Sequence, residues 1–318
     1  MAVRTRPPSE RPTRTRPPSE RASRARSLGP PGEPRRIGYL YVLPAFLVYA
    51  VFALYPLLRA VHLSLFEWDG LTVGTWAGLS NYQEVLSDER LRASFGHALV
   101  LMGFFALVPL VVGLVLASVL HRASVRGLGF FRTVVFLPQV VAMVVIAVAW
   151  RRIYAPDGTI NSVLTAIGLE SWTRGWLGEY AFALPAVGLI GTWFESGLVT
   201  VLLLAGMGRI PRDLYEAARL DGAGAFREFF AVTLPSVRGE IAVALTLTVI
   251  AALKTFDLIY MTTSGGPGHQ TTVPSYEVYR QAFEIGQVGL ACTIGVCLTV
   301  VIFAISFVIT RVGDRVAD

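Results

Sequence analysis

The stretch YEAARLDGAGAFREFFAVTLP, residues 215–235, lies between two long apolar runs of a 318-residue chain. It reads as a helix–turn–helix hairpin. Pro211 falls where a first-turn proline belongs, and Asp213 sets a carboxylate in the first turn, where the helix dipole favours an anion. Arg212 and Glu216 are four apart, and Glu216 and Arg219 three apart, so charge pairs are within reach along this helix. The segment Asp221-Gly222-Ala223-Gly224 breaks it, because glycine takes backbone angles that other residues resist. A second short helix places Phe226, Phe229 and Phe230 on one face, and Pro235 stops it. That Phe face is expected to pack against neighbouring helices. The first helix, small at Ala217 and Ala218 and charged around them, is then free to enter a groove on a partner. A plain connector between two spans is the other reading of the same residues.

Composition decides the setting. Hydrophobic residues make up 53% of the chain and charged ones 16%, with a mean hydropathy of +0.56. Apolar runs of about 20 residues match the thickness of a bilayer. Six are expected to span, over residues 40–65, 99–120, 134–150, 182–204, 241–261 and 290–309. The fold class is therefore all-α and polytopic, with Pro44, Pro56, Pro109, Pro138 and Pro185 in or beside spans as tolerated kinks.

The net charge of +6 belongs mostly to one end. Residues 1–36 carry ten Arg against three Glu, and RTRPPSER occurs at 4–11 and again at 14–21. Such a segment buries too little apolar surface to order itself, so residues 1–37 form an expected disordered tail and 38–318 the transmembrane domain. The basic pI describes this tail and gives no reason to expect a nucleic-acid partner. Anionic lipid binding and a solvated topology signal are both open to it. Counting basic residues on alternate sides gives 20 on the side of the tail and the hairpin, against six on the other. The positive-inside rule then puts both termini and the loop of about 206–238 in the cytoplasm. The opposite loops, 67–98 and 151–181, are long enough to dock a partner.

The residues also carry a resemblance. Glu-Ala-Ala at 216–218, Gly222 after three residues, then Val232 and Leu234-Pro235 resemble the EAA loop of permease subunits in binding-protein-dependent ABC importers. Val232 stands where isoleucine is usual. GLSNYQEVL, FLPQVVAMVVIAVAW and TFDLIYMTTSGGPGHQTTV, in that order, are similar to maltose- and glycerol-phosphate-type sugar permeases, and the glycine-proline stretch to the maltose importer's first permease. The resemblance runs from about residue 40 to 309.

It implies a bacterial plasma-membrane subunit forming half of a translocation pore. The implied partners are a second permease, an ATPase dimer that holds ATP and magnesium, and an extracytoplasmic sugar-binding protein. The first hairpin helix would be the coupling helix. Glu216 would contact the ATPase, Ala217 and Ala218 pack, Asp221 and Gly222 form the turn, and Leu234 and Pro235 anchor the loop to the fifth span. On the side of independent support, a phosphate-binding loop needs Gly-Lys-Ser/Thr, and the only lysine, Lys254, follows Leu253. No cofactor of this chain and no catalytic residue is expected.

Ionisable groups inside spans are functional candidates, because lipid penalises them. Glu195 lies mid-span beside Trp193 and Phe194; Lys254 and Asp257 lie three apart on what is expected to be one helix face, near Phe256 and Tyr260. Acids and aromatic faces suit a sugar. A structural ion pair of Lys254 with Asp257 or Glu195 explains them equally. His62, His97, His121 and His269 are scattered without metal-ligand spacing, which weakens an intramembrane enzyme. A stand-alone secondary transporter using these intramembrane charges is the alternative, and it leaves the hairpin unexplained.

Overall fold

The computed structural model describes residues 35–122 and 127–317. Most of the expected tail, 1–34, lies outside them, as does Arg126. Residues up to Leu54 form one compact unit and those from Tyr55 another. The first unit is the helix Arg35–Tyr49 followed by a π turn, Ala50–Leu54. Helix thus takes in the last three residues of the segment read as tail, 35–37.

Among the described residues, four helices are long and apolar enough to cross a membrane: Tyr39–Leu63, Glu89–His121, Ala183–Met207 and Val288–Gly313. Two bent pairs, Gly129–Val140 with Met143–Ile153 and Ala225–Ser236 with Arg238–Leu253, bring the number to six if each pair is one span. The second span starts ten residues earlier than its apolar run. Asp88 extends it by accepting a hydrogen bond from the Leu91 amide at 2.9 Å, which satisfies an end donor that would otherwise be bare.

The third span bends near Pro138, one of the expected kinks, and the fifth is interrupted where one helix face was expected for Lys254 and Asp257. The third bends by 96° where Leu137–Val140 tightens into a 3-10 turn around Pro138. The fifth runs straight only from Arg238 to Leu253, 16 residues, or about 24 Å at helical rise. That is short of the bilayer core, so the crossing needs the further helix Asp257–Thr262 beyond a break at Lys254–Phe256.

Proline acts through π turns. Ala50–Leu54, Gly103–Leu107 and Phe229–Thr233 each end two residues before a proline, namely Pro56, Pro109 and Pro235. A proline lacks an N–H and crowds the carbonyl four residues back; a widened turn just upstream gives that carbonyl room. Pro235 accordingly does not end its helix, which continues to Ser236.

The fourth span is the centre of the second unit. Of its most apolar stretch, 61% is buried, against 17% for the sixth span. Ala98, Leu101, Phe105 and Ala106 of the second span pack with Ala186, Val187 and Ile190 of the fourth and with Val249, Ala252 and Leu253 of the fifth. Glycines on the fourth span set the approach. A Cβ on Gly197 would lie 2.2 Å from the Val135 carbonyl oxygen, and backbone cannot swing away as a side chain can. Gly197→Val is therefore expected to destabilise the fold by about 1–3 kcal/mol or more, the range of core overpacking. A lowered melting midpoint in detergent checks this; an unchanged one refutes the close contact.

Outside the spans, Phe66–Glu67 and Thr75–Trp76 form a two-stranded antiparallel ribbon. Asn81 donates to the carbonyls of Ser64 and Phe66, and Thr293 of the sixth span also donates to Ser64. The segment after Thr262 turns sharply through Ser264, Gly265, Gly268 and His269, all with positive φ. It then recovers helix over Pro274–Tyr279 and a π turn over Arg280–Ile285, matching the helical spacing that the sequence shows there.

Candidate functional site

The hairpin comes first. Its leading helix is Arg212–Leu220, with Pro211 just before it rather than within its first turn. Gly222 follows with φ +75, the left-handed region that favours glycine. Gly224 is extended and makes no such demand. The hairpin is held closed from inside. Tyr215 and Thr233 share a hydrogen bond of 3.1 Å between hydroxyls, and Arg219 donates to Glu228 at 3.2 Å.

That last contact revises the expected pairing. Arg219 reaches across to the buried Glu228 instead of pairing with Glu216 along its own helix. Glu216 is exposed and forms no ion pair among the described residues. It stands on the edge of a cleft of about 320 Å³ lined also by His121, Arg212, Tyr215, Arg219 and Glu228. Ala217 and Asp221 are exposed and Ala218 half-buried, while Leu234 and Pro235 are half-buried in the helix that leads to the fifth span.

The Phe face does not pack inward as expected. Phe226 is 78% exposed and Phe230 51%, and the two rings lie 4.8 Å apart with Phe229 edge-on to Phe230 at 5.1 Å. The hairpin therefore presents an apolar patch beside its charged helix. Exposed aromatics stacked on one another signify a surface meant to be covered.

The second group lies at the break in the fifth span. Lys254 caps the first half and Asp257 opens the second, so the pair does not share one continuous helix face. Neither forms an ion pair among the described residues; both are exposed. The carbonyl of Thr255, freed by the break, accepts a hydrogen bond from the Ser275 hydroxyl. Interrupted helix at membrane depth is stable where protein or a water-filled cavity supplies such partners.

Phe256 and Tyr260 stack at 5.3 Å with 22° between their planes. Glu195 is 3% exposed on the central fourth span. Trp193, 45% exposed, meets Trp150 edge-on at 5.6 Å. Of the six intramembrane candidates, the structure brings together Phe256 and Tyr260, flanked by Lys254 and Asp257, and separates Trp193 from Glu195.

Sequence reasoning missed a third feature. Arg90 donates twice to Glu277, at 3.0 and 2.6 Å, and the Glu277 side chain is fully buried. Arg280 approaches the same carboxylate at 3.7 Å. The partners are 187 residues apart, so no local pattern announces them. Among the described residues no group of three or more His, Cys, Asp or Glu is placed to hold a metal ion.

Among the described residues the chain is helical with up to six spans, a charged hairpin whose Tyr215 meets His121 at the end of the second, and a polar break at Lys254–Phe256. Residues 110–318 match the family described as "Binding-protein-dependent transport system inner membrane component", and the chain belongs to that family. It is 38% identical over 277 residues to "Probable ABC transporter permease protein YurN" of Bacillus subtilis, covering 85% of this chain and 93% of that one. It is 34% identical to "Trehalose/maltose transport system permease protein MalF" of Thermococcus litoralis, covering 87% and 94%. The crystal structure of a bacterial alginate ABC transporter, in complex with alginate pentasaccharide-bound periplasmic protein, shares the fold. Its TM-score is 0.76 at 22% identity, over 88% of this chain and 95% of that one. The chain is thus an inner-membrane permease component, and the stand-alone secondary carrier falls away.

Proposed function

We propose that this permease forms half of the pore of an ATP-driven sugar importer and is moved by a separate ATPase dimer through its hairpin. A second, related permease completes the pore. An extracytoplasmic binding protein delivers the sugar, and ATP with magnesium resides on the ATPase. Both termini and the hairpin face the cytoplasm. The observation that carries this reading is the exposed Glu216, without an ion pair among the described residues, on a hairpin that Arg219 and Glu228 hold closed from inside. A structural connector has no use for an exposed acid beside an uncovered Phe patch.

For the sugar, the support is chemical and comparative. The thermococcal relative is named for trehalose and maltose, and the solved transporter for alginate. In this chain Lys254 and Asp257 offer a donor and an acceptor beside the stacked Phe256 and Tyr260. Glu195 and Trp193 belong to the same pathway only if transport movements bring them to it. Lys254→Met removes the donor with little change of length. It is expected to raise the KM for sugar about tenfold, as loss of one charged hydrogen bond does. Full activity at low sugar concentration refutes the cavity role. ATP-dependent uptake in proteoliposomes holding the purified complex tests the function itself, and uptake that persists without ATP hydrolysis defeats it.

A further inference from the structure

The π turn Arg280–Ile285 is the one such turn among the described residues that no proline two places on accounts for; Gly286 and Gln287 follow it. π turns without a local steric cause mark functional segments, because they rotate side chains to new bearings. Here the rotation accompanies a run of rings. Tyr279 lies 5.4 Å from Phe256 and 5.2 Å from Tyr260, and Phe283 lies 5.5 Å from Tyr279. With the Phe256–Tyr260 stack, three rings form a mutual cluster, and Phe283 extends it from Tyr279 into a short strip. It leads from the break in the fifth span to the end of the helical segment outside it.

The strip is open. Phe283 is 78% exposed and Tyr260 38%. Lys254 and Asp257, exposed at its inner end, fix what it faces. Charged side chains are not left bare toward hydrocarbon, so this side of the chain borders water or a polar partner. At the outer end, Glu284 supplies a second polar edge and lies within 3.9 Å of Arg280. The Tyr279 phenol is held above its ordinary value, first by the neighbouring Tyr260 hydroxyl and further by the Glu284 carboxylate. The Tyr279 hydroxyl therefore stays protonated and able to donate at neutral pH. Flat apolar faces bordered by hydroxyl and carboxylate groups complement a pyranose, which has an apolar face and a rim of hydroxyls.

We propose that Phe256, Tyr260, Tyr279 and Phe283 form an extended carbohydrate subsite at the outer mouth of the pathway, suited to a linear oligosaccharide of two or more rings. This rests on the sugar-importer reading and adds Tyr279 and Phe283, with Glu284, to the residues that contact cargo. Phe283 lies one ring beyond the cluster, 5.5 Å from Tyr279, close to the length of one hexose residue in a glycan, so a sugar seated on the cluster places its neighbour against Phe283. A monosaccharide or a small phosphate ester engages one ring at most and gains little from the outer pair.

The test uses the complete importer with its binding protein in proteoliposomes. The probe is a panel of mono-, di- and trisaccharides of the maltose, trehalose and chitobiose series. Tyr279→Ala and Phe283→Ala are expected to raise the KM for a trisaccharide roughly three- to tenfold, the worth of one aromatic contact. The rise in KM should be smaller for a monosaccharide than for the trisaccharide, and Tyr279→Phe should retain most of the affinity because it keeps the ring. Equal KM values for wild type and both alanine variants on every transported sugar overturn the subsite. So does loss of the second permease from the purified Phe283→Ala complex, which makes the strip a subunit interface. A wild-type importer that moves no member of the panel overturns the sugar reading and the subsite with it.

Discussion

Glu216→Lys is expected to abolish uptake while the chain still inserts in the membrane at normal abundance. The side chain is exposed and holds no other charge in place, so its reversal costs the fold little, within about 0.5 kcal/mol for an unengaged surface position. The cost appears only against a partner. A lysine there meets a surface built to receive a carboxylate, and like charges at an interface cost several kcal/mol, enough to dissociate a docked helix. Arg219→Ala offers a contrast. It removes one partner of the buried Glu228 and loosens the hairpin itself. Normal uptake by Glu216→Lys sinks the coupling role, and loss of the chain from the membrane shifts the cause to folding.

The second large effect concerns stability on the other side. Arg90→Ala removes both hydrogen bonds to a carboxylate with no exposure to solvent, leaving only Arg280 at 3.7 Å. Stripping one partner from a buried pair costs about 3–5 kcal/mol, because the remaining charge is neither hydrated nor paired. Arg90 is 24% exposed, which places the expectation at the lower end, about 2–4 kcal/mol. Arg90→Ala combined with Glu277→Gln should recover part of the loss, since the stranded charge is gone. The melting midpoint of the detergent-solubilised protein measures both. A single variant as stable as wild type shows that the pair does not hold the outer helix to the second span.

Much of the architecture was legible because bilayers impose a simple length rule. The fourth and sixth apolar runs fall within a few residues of Ala183–Met207 and Val288–Gly313. The second run missed the polar turns that carry its helix outward to Glu89, since hydropathy stops where the lipid does while hydrogen bonding continues. Pro138 marked one kink in advance, whereas the break at Lys254–Phe256 was invisible for another reason. Whether a helix breaks depends on what satisfies the freed groups, and for Thr255 that is Ser275, twenty residues away. Calling Lys254 and Asp257 neighbours on one face assumed a helix that ends between them.

The hairpin was the most legible site. Its turn needs glycine at 222, and its spacing announced two helices, both present. The direction of its Phe residues was not legible. Three phenylalanines on one helix face indicate burial against something, and the sequence alone does not distinguish the chain's own spans from a partner. Their exposure favours the partner. Tyr279 and Phe283 had a readable signal, aromatics four apart in YEVYRQAF, but it gained meaning only beside Phe256 and Tyr260.

The central claim is that this hairpin receives the work of ATP hydrolysis from another protein. Purification of the tagged chain from its native membrane under gentle solubilisation, with and without Glu216→Lys, tests it most directly. The account predicts that an ATPase and a second permease accompany the wild-type chain, and that Glu216→Lys keeps the second permease but loses the ATPase. A wild-type chain that purifies alone and still transports sugar when reconstituted would contradict it.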